Sequence, residues 1–125
     1  IEAYQKRNKE GLMSLFASDA DQVHFGTGAD EKRIGRDQLG FQVERDWSQT
    51  EALTFNITWR QVSAAGPVAW VAAEGLGQGQ AGGQAFEFPV RMTGVLERRG
   101  DEWLLVHSHA SLPAMVQEEG DSVPV

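Results

Sequence analysis

Apolar residues recur at helical spacing in two stretches of the first half of the chain. In residues 1–17 the apolar positions are Tyr4, Leu12, Leu15 and Phe16. In the second stretch, which begins near residues 35–37 and ends near Thr50, they are Leu39, Val43 and Trp47. Polar and charged residues separate these positions. Both stretches are therefore predicted to be amphipathic helices that bury one stripe.

Alternation of apolar and polar residues dominates the rest of the chain. Residues 22–28 and 33–34 flank a glycine-rich turn and predict a short hairpin between the two helices. Four longer strands are predicted at residues 54–63, 68–76, 85–99 and 103–111. Residues 75–84 are rich in glycine and glutamine, and we expect a mobile hairpin end there.

Two early helices followed by long strands joined through short turns predict an α+β fold with a mostly antiparallel sheet. Strands of this length twist and curl. Wrapped around the N-terminal helices, such a strongly curved sheet would form a cone with a pocket at its open end.

Composition narrows the class of protein. With 125 residues, we expect one domain over residues 1–125. A net charge of −7 argues against nucleic acid or anionic lipid as a partner. Cysteine is absent, which excludes disulfides, a thiol nucleophile and a thiolate metal site. No apolar stretch is long enough to span a membrane, so we expect a soluble, cytoplasmic protein. We also expect no cofactor and no metal.

The C-terminal third contains a motif that resembles a known superfamily. A strand from Arg91 to the basic pair Arg98-Arg99 turns into a second strand that starts at Trp103 and has the pattern W-x-x-x-x-x-H-x-S, with His109 in the histidine position. This resembles the closing hairpin of SnoaL-like, or nuclear transport factor 2-like, domains and is similar to the association domain of calcium/calmodulin-dependent protein kinase. The resemblance implies a cone-shaped, cystatin-like roll. Members of the superfamily include isomerases, dehydratases, cyclases, hydrolases and non-catalytic binding or assembly domains. The first helix is short for the family, which predicts a truncated N-terminus.

The predicted strands supply the candidate site residues. His107 and His109 are two residues apart and are predicted to share a strand face with Trp103, which we expect to be largely buried. His109 is a candidate proton shuttle, or else a residue that fastens the end of its strand. A metal site formed by these two histidines and His24 is disfavoured, because no carboxylate lies at ligand spacing.

Carboxylates and an arginine complete the candidates. Glu74 is in step with Trp70, and burial beside an apolar surface would raise its pKa into the range of a general acid or base. Asp46, near the end of the second helix, is a similar candidate. Arg91 either pairs with neighbouring carboxylates on a solvated face or reaches the cone mouth and holds an anionic ligand. Trp59, predicted to share a face with Phe55, is a candidate pocket wall.

Two functions remain open on the sequence alone. The first is a non-catalytic domain that binds a small apolar or amphipathic ligand, with a carboxylate among the candidates, or that assembles subunits. Its ligand-binding residues would be Trp59, Trp70, Arg91, His107 and His109. The second is a small isomerase, dehydratase or cyclase that uses His109, Glu74 or Asp46 as its acid or base. In either case we expect a homodimer, because the convex side of the sheet carries apolar residues that need cover.

Overall fold

The computed structural model describes residues 1–124. Three helices are described, α1 (Glu2–Gln5), α2 (Lys9–Met13) and α3 (Gly35–Gln49). Six strands are described: β1 (Val23–Phe25), β2 (Lys32–Ile34), β3 (Ala52–Ala65), β4 (Val68–Ala81), β5 (Gln84–Arg99) and β6 (Glu102–Ser111). The α+β class and the order of elements match the prediction. No helix in residues 1–124 is long and apolar enough to cross a membrane.

All six strands form one curved, open sheet in the order β2-β1-β6-β5-β4-β3. Every pairing is antiparallel except that of β1 with β6, which is parallel. One side of the sheet carries Phe55, whose ring packs 5.8 Å from the ring of Tyr4 on α1. We call this helix-covered side the inner face and the opposite side the outer face.

The first predicted helix is broken into two short ones. Arg7, between them, has a φ of 55°, a left-handed conformation that ends α1. The side chain of Asn8 then caps α2 by accepting a hydrogen bond from the backbone N–H of Gly11 at 3.0 Å. The guanidinium of Arg7 donates to the backbone carbonyls of Trp47 and Thr50, so the break also fastens α1 to the C-terminal end of α3.

Most of the glycine-rich segment is regular sheet, because β4 continues to Ala81 and β5 begins at Gln84, and the hairpin end predicted there is confined to residues 82–83. Gly75, Gly77 and Gly79 alternate along β4 and share the inner face. A Cβ at Gly77 would lie 2.3 Å from the ring of Phe88, which covers that glycine. Gly77 and Gly79 therefore make room for aromatic rings on the inner face, whereas a Cβ at Gly75 would meet the backbone of Asn56.

Two bulges change which side chains share a face. In β3, Ile57 pairs with Gly75 but Trp59 pairs with Glu74, so the extra residue, Thr58, moves Trp59 to the outer face. The prediction that Trp59 lies beside Phe55 is therefore wrong.

The second bulge lies in β6. Leu105 pairs with Leu96 and His107 with Val95, so the extra residue there is Val106. The two histidines consequently leave the face of Trp103. Trp103 is 39% exposed, with the guanidinium of Arg98 5.9 Å from its ring, so the expectation that it is largely buried is also wrong.

Replacing Gly77 by alanine should destabilise the protein by about 1–3 kcal/mol, because the new methyl group would collide with the Phe88 ring. Gly40→Ala is the matched control. There a Cβ would meet only Lys9 atoms at 3.6 Å or more, and helix propensity favours alanine by about 1 kcal/mol. Urea unfolding measures both. Equal stability of Gly77→Ala and the parent protein would show that the ring does not cover this glycine.

Candidate functional site

The five residues predicted to bind ligand all lie on the outer face, where cross-strand pairing brings them into neighbouring rows. The first row runs from Trp59 through Glu74 to Arg91. His109 lies in the next row, opposite Thr93. The third row contains Trp70 and His107, which both pair with Val95.

Residues of the first row line a shallow groove of about 230 Å³. Arg91 Nε lies 3.2 Å from Glu74 Oε2, and both side chains are more than half exposed. An exposed ion pair of this kind contributes about 0–1 kcal/mol to stability. Of the two positions predicted for Arg91, the structure shows the one in which Arg91 pairs with a carboxylate on a solvated face. It does not reach the space between the sheet and the helices.

The histidines of β6 do not face the helices either. His107 Nδ1 lies 2.7 Å from the backbone oxygen of Val23, and as a donor it ties β6 to β1. The exposed ring of His109 lies 5.4 Å from the ring of Phe25 on the same outer face. No group of three or more His, Asp or Glu side chains within residues 1–124 could hold a metal ion.

Asp46, on α3, is the one candidate acid or base on the inner side of the fold, where it contacts Tyr4 of α1. Tyr4 Oη donates to its Oδ2 at 2.7 Å, and Gln42 Nε2 donates to its Oδ1 at 2.7 Å. Burial, together with the hydrogen bond to this carboxylate, raises the pKa of Tyr4 far above its ordinary value of 10.0, so the hydroxyl stays protonated and continues to donate. Asp46 is thus a fixed acceptor.

A row of five aromatic rings crosses the inner side of the fold, and sequence reasoning missed it as a unit. Its successive centroid distances are 5.7 Å from Trp47 to Tyr4, 5.8 Å from Tyr4 to Phe55, 6.3 Å from Phe55 to Phe88 and 6.0 Å from Phe88 to Phe86. The rings are half-buried, and the indole Nε1 of Trp47 is a buried donor without an acceptor in residues 1–124. The sequence feature that could have indicated this row is the alternation of Phe86 and Phe88, which pair with Gly79 and Gly77 of β4. We call these five residues the aromatic row.

His24 forms a separate buried centre, only 3% exposed. Its Nδ1 lies 2.7 Å from Ser108 Oγ and its Nε2 lies 2.8 Å from Gln22 Oε1. Burial, assisted by the nearby His107, lowers the pKa of His24 from 6.5 to about 4. His24 is therefore neutral at pH 7, and both of its ring nitrogens are engaged.

A curved sheet that carries helices and an aromatic row on one face and leaves the other face open defines an α+β roll of the nuclear transport factor 2-like class. The SnoaL-like domain family model matches residues 1–115. The chain belongs to this SnoaL-like family.

Solved structures agree with that assignment. A candidate calcium/calmodulin-dependent protein kinase II association domain from Xanthomonas campestris is 24% identical, with a TM-score of 0.80 over 92% of this chain and 81% of that one. A candidate dehydratase of the same superfamily from Streptomyces avermitilis is 26% identical, with a TM-score of 0.80 over 90% of this chain and 86% of that one. A superfamily protein from Salmonella enterica is 16% identical, with a TM-score of 0.83 over 98% and 88%. No curated protein matches this sequence.

The lowered pKa of His24 makes stability depend on pH. Because the unfolded chain takes up a proton at this histidine more readily, its contribution is complete above pH 6.5 and is lost as the pH falls towards 4. Between these values the free energy of unfolding should fall by about 3 kcal/mol more in the parent protein than in His24→Gln. Urea unfolding across this range tests the difference. The exposed His109→Gln is the control and should keep the parent slope, whereas a parent slope in His24→Gln would contradict the assignment.

Proposed function

We propose that this protein is a non-catalytic domain that binds a small, partly apolar ligand along the aromatic row and assembles as a homodimer through the outer face of its sheet. The observation that carries the ligand-binding role is the aromatic row itself. Half-buried rings on the inner face offer a planar apolar molecule a large contact area with specific edge and face geometry.

The positions of the candidate acids and bases favour binding over catalysis. Glu74 and His109 lie on the outer face, separated by the sheet from the aromatic row. His24 is neutral, with both nitrogens hydrogen-bonded. Within residues 1–124 the geometry therefore presents no histidine and carboxylate that converge on one ligand position, which acid–base catalysis would need.

The alternative enzyme, an isomerase, dehydratase or cyclase, is favoured by one feature. Asp46 and Tyr4 form a carboxylate and hydroxyl pair at one end of the aromatic row. The similarity to a candidate dehydratase is consistent with such chemistry. We place this function second because Asp46 already accepts hydrogen bonds from Tyr4 and Gln42.

The assembly role rests on the apolar side chains that the outer face exposes. Trp59 is 49% exposed, Trp70 46% and Phe25 39%, and all three lie on that face. Aromatic residues of this kind are enriched at protein interfaces, where a stable contact covers about 800 Å² of each partner. A second copy of the chain packed face to face would cover them.

A carboxylate ligand and a cytoplasmic location remain predictions.

Ethylbenzene, a planar apolar probe, tests the ligand-binding proposal. In a ¹H–¹⁵N NMR titration we expect its shift changes to cluster at residues of the aromatic row. Phe88→Ala should weaken binding at least about fivefold, since the truncation removes a contact surface. Phe41→Ala, which removes an exposed ring of α3, is the control and should leave the affinity unchanged. Absence of binding, or binding confined to the outer face, would overturn the proposal.

The dimer has its own test. Trp70→Glu places a charge in the proposed interface, where desolvation is costly, and should raise the dimer dissociation constant at least about a hundredfold. Phe41→Glu changes an exposed aromatic residue on α3, outside the outer face, and should not affect association. Sedimentation equilibrium measures both variants. A monomeric parent protein at all accessible concentrations would rule the dimer out.

A further inference from the structure

Strand β3 forms one edge of the sheet, and only part of that edge is shielded. Within residues 1–124 it pairs with β4 alone. An edge strand presents unpaired backbone N–H and C=O groups that another strand can bind, and proteins shield such edges with proline, charges, bulges or covering groups. In the first half of β3, Gln5 Oε1 accepts the hydrogen bond of the Phe55 N–H, and the bulge at Thr58 interrupts the strand.

The second half of β3, residues 59–65, has no shielding of this kind. It contains no proline and no lysine, and Arg60 is its only charged residue. We call these seven residues the free edge. Val62 lies at their centre and is 62% exposed, the highest value among the large apolar residues of the strands. The free edge therefore combines open backbone groups with an exposed β-branched side chain, which is a residue type that favours strand pairing.

Other open edges of the sheet are shielded by their length or their residues. At the opposite end of the sheet, β2 has three residues and runs directly into α3. On its β6 side, β5 is open only before Arg91, where it carries Glu87 and Pro89, and proline has no backbone N–H to offer. The free edge of β3 is thus the part of the sheet best suited to the addition of a strand.

We propose that the free edge pairs antiparallel with the free edge of a second copy of the chain, with Val62 opposite Val62 of that copy. In this register Arg60 lies opposite Ala64 of the second copy, so no two like charges face each other. Gln61 lies opposite Ser63 of the second copy, and an amide and a hydroxyl can form a hydrogen bond. Two-fold symmetry repeats each of these contacts, as an interface between identical surfaces requires.

The ends of the free edge limit the pairing to these seven residues. In the same register Thr58, the bulged residue, lies opposite Gly66 of the second copy, where β3 turns towards β4. Helix α1 contacts β3 at Phe55, which is outside the paired segment. Both copies can therefore approach along the free edge without displacing α1.

This contact goes beyond the face-to-face dimer proposed above and uses a different surface. Hydrogen bonds between strands run within the sheet, whereas side chains of the outer face, such as Trp70, point away from it. The edge contact would join face-to-face dimers side by side into a larger assembly. It does not require that dimer to form.

Introduced cysteines can test the register, because the chain has none of its own. Directly opposed residues of antiparallel strands have Cα atoms about 4.5–5.5 Å apart, a distance that a disulfide can span. In a glutathione redox buffer, Val62→Cys should form a disulfide-linked dimer at least about tenfold faster than Ala64→Cys, because pairing holds only position 62 opposite itself. Ala64→Cys is the matched control, since it changes an exposed residue two positions away on the same face. Non-reducing electrophoresis measures both rates.

A mixture of Arg60→Cys and Ala64→Cys proteins should form the mixed disulfide faster than either protein links to itself, because these two positions are opposed across the axis. Mass spectrometry identifies the mixed product. All three substitutions lie at exposed positions, so we expect the variants to fold. Equal linking rates at positions 62 and 64 would indicate random collision and overturn the edge pairing.

Trp70→Glu separates the two self-contacts. In a Trp70→Glu background the Val62→Cys link should still form, since the free edge lies outside the surface that this substitution changes. Loss of the link in that background would assign it to the face-to-face dimer and overturn the edge pairing. If the link forms but Trp70→Glu leaves the sedimentation of the parent protein unchanged, only the face-to-face dimer is overturned.

Discussion

Close contact between aromatic rings and bare backbone on β4 is the constraint on which the inner face depends. Gly77 and Gly79 carry no side chain where the rings of Phe88 and Phe86 lie, and a Cβ at either position would come within 2.6 Å of a ring atom. The two rings stack at 6.0 Å and continue through Phe55 to Tyr4. An ordinary strand with larger residues at these positions would push the rings away from the sheet and interrupt the row.

Polar contacts at the helix ends help to hold the helices to this face. Arg7 donates to carbonyls at the C-terminal end of α3, and Gln5 Oε1 accepts a hydrogen bond from the backbone N–H of Phe55 on β3 at 2.8 Å. No large side chain in residues 1–124 is fully buried. A small domain with such a thin core gains stability from a ligand or partner that binds only the folded state, so both proposed interactions would also stabilise the protein.

The two bulges separate the chemistry of the two faces. Without Thr58 as an extra residue in β3, Trp59 would join Phe55 on the inner side, and without Val106 in β6 the two histidines would stay in step with Trp103. With both bulges, the histidines, the Glu74–Arg91 pair and the exposed tryptophans gather on one solvated surface. The inner side keeps the aromatic row and the Asp46 cluster. The two proposed interactions, with another copy and with a small molecule, would then use opposite sides of the same strands.

The sequence by itself determined the α+β class, the order of the elements and the superfamily. These follow from local periodicity, turn residues and a short motif near Trp103, all of which act over a few neighbouring positions. Periodicity also placed Glu74 in step with Trp70, and this relation holds.

Only the tertiary structure decided which face looks towards the helices, because one bulged residue inverts every side chain beyond it and leaves little trace in the alternation pattern. It also decided that Tyr4 meets Asp46, Trp47 and Phe55, since these contacts join residues 42 or more positions apart along the chain and depend on how α1, α3 and the sheet pack. That the indole N–H of Trp47 has no acceptor within residues 1–124 is a property of that packing and of no local pattern.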